Sequence, residues 1–161
     1  DRIASGLQQL GVKQGDSVAM LMRNDIAFIE AAYAAMRLGA YGVPVNWHFK
    51  PEEINYVLKD SGTSVLIAHA DMLHQLREAI PQGVTALSVP TPPEILASYR
   101  INPDHLAAPE FAIDFESWLQ QQPRYDGPAV PQPQNASRIT SPSLLLASII
   151  RVRSASGFCV G

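Results

Sequence analysis

Asn46, Trp47, His48 and Lys50 stand together in the stretch GAYGVPVNWHFKPEEINYVLKDSG, between an apolar run and a proline-led acidic run. They directly follow a strand candidate, and α/β proteins often place ligand sites just beyond a strand. The bland reading is that Asn46 shapes a turn, Trp47 packs and His48 is a solvated loop residue. Other residues offer less. His69 and His74 are five apart on different expected elements, Asp71 lies between them, and His105 sits in an irregular region. Zinc needs three or four convergent ligands, and this spacing has no recognised signature, so surface or capping roles are favoured. Ser141, Ser143 and Cys159 have no base placed beside them by any motif, which leaves nucleophilic catalysis unsupported. Glu52 and Glu53 follow Pro51 and read as residues matched to a helix dipole, not as an acid–base pair.

The elements that must position these residues follow an alternating pattern. Ile3, Leu7 and Leu10 carry a helical spacing, and GVKQGD forms a turn. SVAMLM (17–22) has strand length and character. Asn24 or Asp25 is placed to cap a helix over about 26–38, because a short polar side chain can accept from the free N–H groups of a first turn. Ile26, Ile29, Tyr33 and Met36 form one stripe of that helix and are expected in the core, with Glu30 and Arg37 on the wet side. Gly39 is suited to a left-handed stop. YGVPV (41–45) is a second strand, with Pro44 expected at an edge or a strand end. Pro51 opens a helix whose face carries Ile54, Val57, Leu58 and Ser61, and Gly62 terminates it. SVLIAH is a third strand. Asp71 is expected to cap a helix bearing Met72, Leu73, Leu76 and Ile80, and VTALSV is a fourth strand. Such alternation makes successive βαβ units, so the fold class is α/β: a largely parallel sheet flanked by helices.

Residues 90–135 are proline-rich, with one short helix expected over 114–122 carrying Phe115, Trp118 and Leu119 on one face. Residues 136–161 contain no Asp, Glu or Lys and do not continue the pattern. The sequence therefore divides into a βα-repeating part (1–89), a proline-rich part (90–135) and an aberrant tail (136–161). The net charge of −3 over 161 residues gives no broad basic surface for nucleic acid. No apolar run approaches the roughly 20 residues of a membrane span. The single cysteine suits a reducing compartment.

The segment from Gly11 to His69 resembles the N-terminal region of adenylate-forming enzymes, specifically AMP-forming acyl-CoA synthetases. The resemblance rests on an ordered series: Gly11-Val12, Gly15-Asp16, Val18-Ala19, Asn24, Leu38-Gly39-Ala40, Pro44, Asn46, Glu53, Tyr56 and Asp60-Ser61-Gly62. It covers residues 1–89 well. The stretch from TPPEILASYRI to DFESWLQQQPRYDGP is similar to what some bacterial CoA ligases carry before their phosphate loop.

The resemblance implies a cytoplasmic enzyme that joins ATP to a fatty or other hydrophobic carboxylic acid. The acyl-adenylate formed then passes its acyl group to coenzyme A, releasing AMP. The adenylate is needed because a carboxylate is a poor electrophile until its oxygen belongs to a good leaving group. Magnesium and basic groups would offset charge on the transferring phosphates. The resemblance also implies that His48, when protonated, reaches toward the nucleotide phosphate of coenzyme A, with Asn46 and Lys50 in the same corner.

The tail departs from this pattern. Family members continue with a loop of the form T-S-G-T-T-G-x-P-K-G, whose backbone N–H groups approach phosphate closely. Here RITSPSLLLASIIRVRSASGFCVG follows Asn135: Ile139-Thr140-Ser141 is faintly similar to the loop start, and the glycines and lysine are absent. The expectation is a piece of a ligase with a frameshifted or foreign tail, inactive alone, lacking the catalytic lysine of later family sequence, and exposing apolar surface that favours self-association. The competing expectation is a non-catalytic α/β binding or interaction module. A nicotinamide-binding fold should show G-x-G-x-x-G after the first strand, and MLMRNDIAF has none.

Overall fold

The computed structural model describes residues 1–23 and 25–133. The tail, with Ser141, Ser143 and Cys159, and the alternative cap Asn24 lie outside the described residues. In chain order the elements are α1 (Arg2–Gln9), β1 (Ser17–Leu21), α2 (Ile26–Arg37), β2 (Tyr41–Pro44), α3 (Pro51–Asp60), β3 (Thr63–His69), α4 (Ala70–Leu73), β4 (Thr85–Val89), α5 (Pro93–Tyr99), a 3-10 turn (Pro103–His105), β5 (Ile113–Asp114) and α6 (Phe115–Gln120).

The five strands lie in the order β2-β1-β3-β4-β5, and every pairing is parallel. Pro44 ends β2, the edge strand, where its missing N–H costs least. Alternate residues of the strands feed two cores. Val18, Met20, Val65, Ile67 and Leu87 face α1, α2 and α6. Ala19, Leu21, Leu66, Ala68 and Ala86 face α3 and the chain around Leu73 and Leu76. Burial on both faces explains why the strands read as continuous apolar runs.

Local chemistry sets the helix ends. Pro51 occupies the first turn of α3 with Glu52 and Glu53, and the Lys50 backbone N–H donates to Glu53 Oε2 at 2.9 Å. Asp25 caps α2 by accepting from the Ile26 N–H. Gly39 follows α2 at φ +71°, and a β-carbon there would also lie 2.9 Å from the Pro131 carbonyl oxygen.

Three sequence expectations are corrected. First, the stripe of α2 carrying Ile26, Ile29, Tyr33 and Met36 faces outward, and the helix buries Ala31, Ala34 and Ala35 instead. The alanines win because small side chains allow close approach to the sheet: a β-carbon at Gly42 would sit 3.9 Å from the Ala32 α-carbon. Second, Asp71 caps no long helix. α4 is a single turn beginning after His69, and the Asp71 carboxylate is taken by a buried tertiary partner described below. Third, the segment after Val89 holds more than one short helix. It adds α5 and a 3-10 turn, and β5 extends the sheet by pairing with Leu87 and Ser88.

Asp114 starts α6 by accepting from the Ser117 N–H, and α6 docks through Phe115 and Trp118 onto the core that holds Ile3 and Leu7. The six-membered ring of Trp118 lies close against Gly6 of α1. An ideal β-carbon at Gly6 would sit 2.2 Å from Trp118 Cζ2 and 2.9 Å from Gln122 Cγ. Gly6→Ala is therefore expected to destabilise the fold by about 1–3 kcal/mol through overpacking. The urea midpoint should fall, with a parallel loss of the buried Trp118 emission. An unchanged midpoint would show that α6 can yield without cost.

Candidate functional site

In a parallel sheet of order 2-1-3-4-5, the chain leaves β1 and β3 on opposite sides, opening a crevice at their carboxyl ends. The residues immediately beyond the strands gather there: Arg23 after β1, Trp47 after β2, His69 and Asp71 at the end of β3, Thr91 after β4, and Tyr99 from the end of α5.

Arg23 is the centre of the group. Its Nη1 donates to both oxygens of Asp71, at 2.9 and 3.1 Å, and the Thr91 hydroxyl donates to Asp71 Oδ1 at 2.7 Å. The two side chains are 12% and 7% exposed, so the pair is nearly dry. Two rings complete the environment. The guanidinium carbon lies 5.2 Å from the Trp47 ring centre and 4.8 Å from that of Tyr99. The rings themselves meet edge to face at 5.3 Å. Each ring presents its electron-rich face to a cation that has little water left. The carboxylate also matters: removing one partner of a buried pair strands the other charge.

His69 ties the same loop from below. It is fully buried; its Nδ1 accepts from the Arg23 backbone N–H at 3.3 Å, and Nε2 lies 3.3 Å from Asp25 Oδ2. That arrangement places the proton on Nε2, donating to Asp25, because Nδ1 is already an acceptor. Burial pulls the imidazole pKa below 6.5, and outweighs the opposing hydrogen bond and charge of Asp25.

The corner singled out in the sequence sits on this platform. The His48 N–H donates to Asn46 Oδ1 at 3.0 Å, and the Phe49 N–H donates to the Asn46 carbonyl at 3.0 Å, which shapes the turn. The Trp47 ring lies against that of His48, with centres 3.5 Å apart. His48 and Lys50 are exposed, whereas Asn46 and Trp47 are half-buried. Asn46 and His48 are thus joined by a hydrogen bond. Lys50 follows at the start of α3 with its backbone committed to Glu53. A cleft lined by Leu21, Arg23, Trp47, Phe49, Asp71 and Gln75 opens beside the corner.

The other histidines go elsewhere. His74 stacks on His105 with ring centres 4.7 Å apart and lies 2.9 Å from the Ala107 carbonyl through Nε2. Among the described residues no three His, Cys, Asp or Glu side chains are grouped to hold a metal ion. Arg23, Thr91 and Tyr99 are the members of the cluster that sequence reasoning missed. Their available signal was position: Arg23 and Thr91 each lie two residues past a strand.

The match to known proteins covers most of the chain. The family model described as AMP-binding enzyme matches residues 1–136. A long-chain-fatty-acid–CoA ligase, FadD13 of Mycobacterium tuberculosis, is 42% identical over 67 residues, covering 42% of this chain and 13% of that protein. A feruloyl-CoA synthase of Amycolatopsis is 36% identical over 101 residues, 58% of this chain and 21% of its own. Among solved structures, a benzoate CoA ligase from Burkholderia xenovorans LB400 superposes with a TM-score of 0.59 at 21% identity, over 83% of this chain and 23% of the ligase. The chain thus spans less than a quarter of the length of each of these proteins.

The state of His69 has a consequence for stability. Its folded pKa lies below 6.5, so the unfolded chain binds a proton that the folded chain resists. The contribution is complete above the ordinary imidazole pKa. It declines as pH falls through that value toward the folded pKa. His69→Asn should therefore lose less stability on mild acidification than the parent, measured by urea unfolding across that window. Parallel pH profiles for the two would refute the assignment.

Proposed function

The chain belongs to the AMP-binding enzyme family, and on that premise we propose that it is the N-terminal portion of a cytoplasmic acyl-CoA synthetase. The complete enzyme would act on a fatty or other hydrophobic carboxylic acid, with ATP, magnesium and coenzyme A. The names of the relatives support acid–CoA ligation and span fatty and aromatic acids. The acid itself is left open at that level.

The observation that carries a site-level reading is the corner at Asn46–Lys50. Asn46 fixes the backbone, Trp47 backs the imidazole, and His48 and Lys50 present their side chains to solvent. Two nitrogen donors that can carry positive charge suit an anionic phosphate. His48 and Lys50 would hold the nucleotide phosphate of coenzyme A, and Asn46 would position His48. Coenzyme A supplies the thiol that receives the acyl group. This corner supplies binding and orientation only, since no nucleophile is paired with a base there.

For ATP the residues present fit poorly. Among the described residues no glycine-rich loop follows a strand to cradle phosphates, and the sequence after Asn135 does not supply the family's form of it. This supports the reading that the chain does not adenylate an acid by itself and acts, if alone, as a binding module. Among the described residues, no helix is long and apolar enough to cross a membrane.

Calorimetric titration of the chain tests the site. His48→Ala should weaken coenzyme A binding about tenfold, the scale of one charged hydrogen bond, and should leave binding of dephospho-coenzyme A unchanged. Equal affinity of parent and variant for coenzyme A would remove His48 from the site. ATP–pyrophosphate exchange by the chain should be undetectable; turnover would overturn the inactive reading.

A further inference from the structure

His48 is exposed on its turn. Its N–H is committed to Asn46 Oδ1, which fixes the backbone and leaves the imidazole to be set by what its ring touches. That ring lies against Trp47, with centres 3.5 Å apart. An exposed side chain gives up rotamer freedom when it grips a ligand, and it gives up less when a neighbour already holds it. The aim of His48 therefore depends on what holds Trp47. Two groups do so: the Arg23 guanidinium at 5.2 Å and the Tyr99 ring, edge to face at 5.3 Å. Arg23 is itself fixed by Asp71 in a nearly dry pair.

Tyr99 is held differently. It ends α5, a helix with no buried residue, and is itself 50% exposed. Pro92 and Pro93 open that helix, and Arg100 closes it in the left-handed region at φ +50°. Arg100 is the only non-glycine at positive φ among the described residues. A β-carbon makes that conformation costly, so contacts elsewhere must hold the docked helix in place. Tyr99, directly before Arg100, makes such contacts with the Trp47 ring and with Arg23 at 4.8 Å.

We infer that Tyr99 is a positioning residue for the coenzyme A corner: it braces Trp47, and Trp47 sets His48 toward the nucleotide phosphate. The inference rests on the reading of that corner as a phosphate site. It makes α5 part of the site without contact to the ligand. The ring of Tyr99 makes these contacts, so a phenylalanine supplies the same brace. Because Tyr99 acts through His48, its effect must vanish wherever His48 has nothing to hold. That sets it apart from a residue that merely stabilises the fold.

Calorimetric titration of the full chain tests it through a double-mutant cycle. Tyr99→Ala should weaken coenzyme A binding about fivefold, the scale of one aromatic pair, and leave dephospho-coenzyme A binding unchanged. Tyr99→Phe should bind coenzyme A like the parent. Tyr99→Ala combined with His48→Ala should bind no more weakly than His48→Ala alone, because the brace has lost what it positions. Thermal melts by circular dichroism would establish that the variants fold, as an exposed position allows. If His48→Ala weakens binding while Tyr99→Ala binds like the parent, this inference falls and the phosphate site stands. Equal losses for the two coenzyme forms in Tyr99→Ala, or additive losses in the double variant, also overturn it. If His48→Ala itself binds coenzyme A like the parent, the phosphate site falls and the inference falls with it.

Discussion

The mouth of the sheet depends on one ion pair. Arg23 comes from the loop beyond β1 and Asp71 from the single-turn helix α4 beyond β3, and they meet almost out of water. Neither charge is tolerable there alone. Thr91 satisfies part of the carboxylate, and Trp47 and Tyr99 cover the guanidinium. Four strand exits are thereby drawn to one point. α5 has no buried residue of its own, so the contact of Tyr99 with Arg23 and Trp47 is a principal anchor of that helix. The turn carrying His48 is held to the same point through Trp47.

The sheet makes this convergence possible. Parallel strands send all their carboxyl ends to one side, and the crossovers return on the other. The two cores then divide the labour. One packs α1, α2 and α6 through alanines and Trp118; the other packs α3 and the Leu73–Leu76 stretch through larger aliphatic groups. Close packing on the first side leaves the large residues of α2 no room inward. The exposed stripe is the counterpart of the buried alanines.

Much of the scaffold is legible in the sequence because its signals are local. Apolar runs, Pro51 with its two glutamates, and the glycines after α2 and α3 each report a nearby constraint. β5 is two residues long and carries no period, so its pairing with β4 is visible only in three dimensions. α5 did carry a signal, a proline and a glutamate in its first turn, that the proline-rich context obscured. The face of α2 was misread because hydrophobicity favours large side chains, whereas proximity to a sheet favours small ones. At the site, Asn46 and His48 were legible as a turn with an exposed imidazole. Asp71 was not, since a carboxylate in a cap position looks the same whether it meets a free N–H or a distant arginine. The resemblance to acyl-CoA synthetases was legible in the order of many weak matches.

Arg23 holds the corner at 46–50 and helix α5 to the sheet as one unit. Amide hydrogen exchange, compared between the parent and Arg23→Met, tests it most directly. Exchange should quicken at 46–50 and 93–99 together, with the amides of β1 and β3 still protected. Unchanged exchange in both segments, or equal loss across the whole sheet, would contradict it.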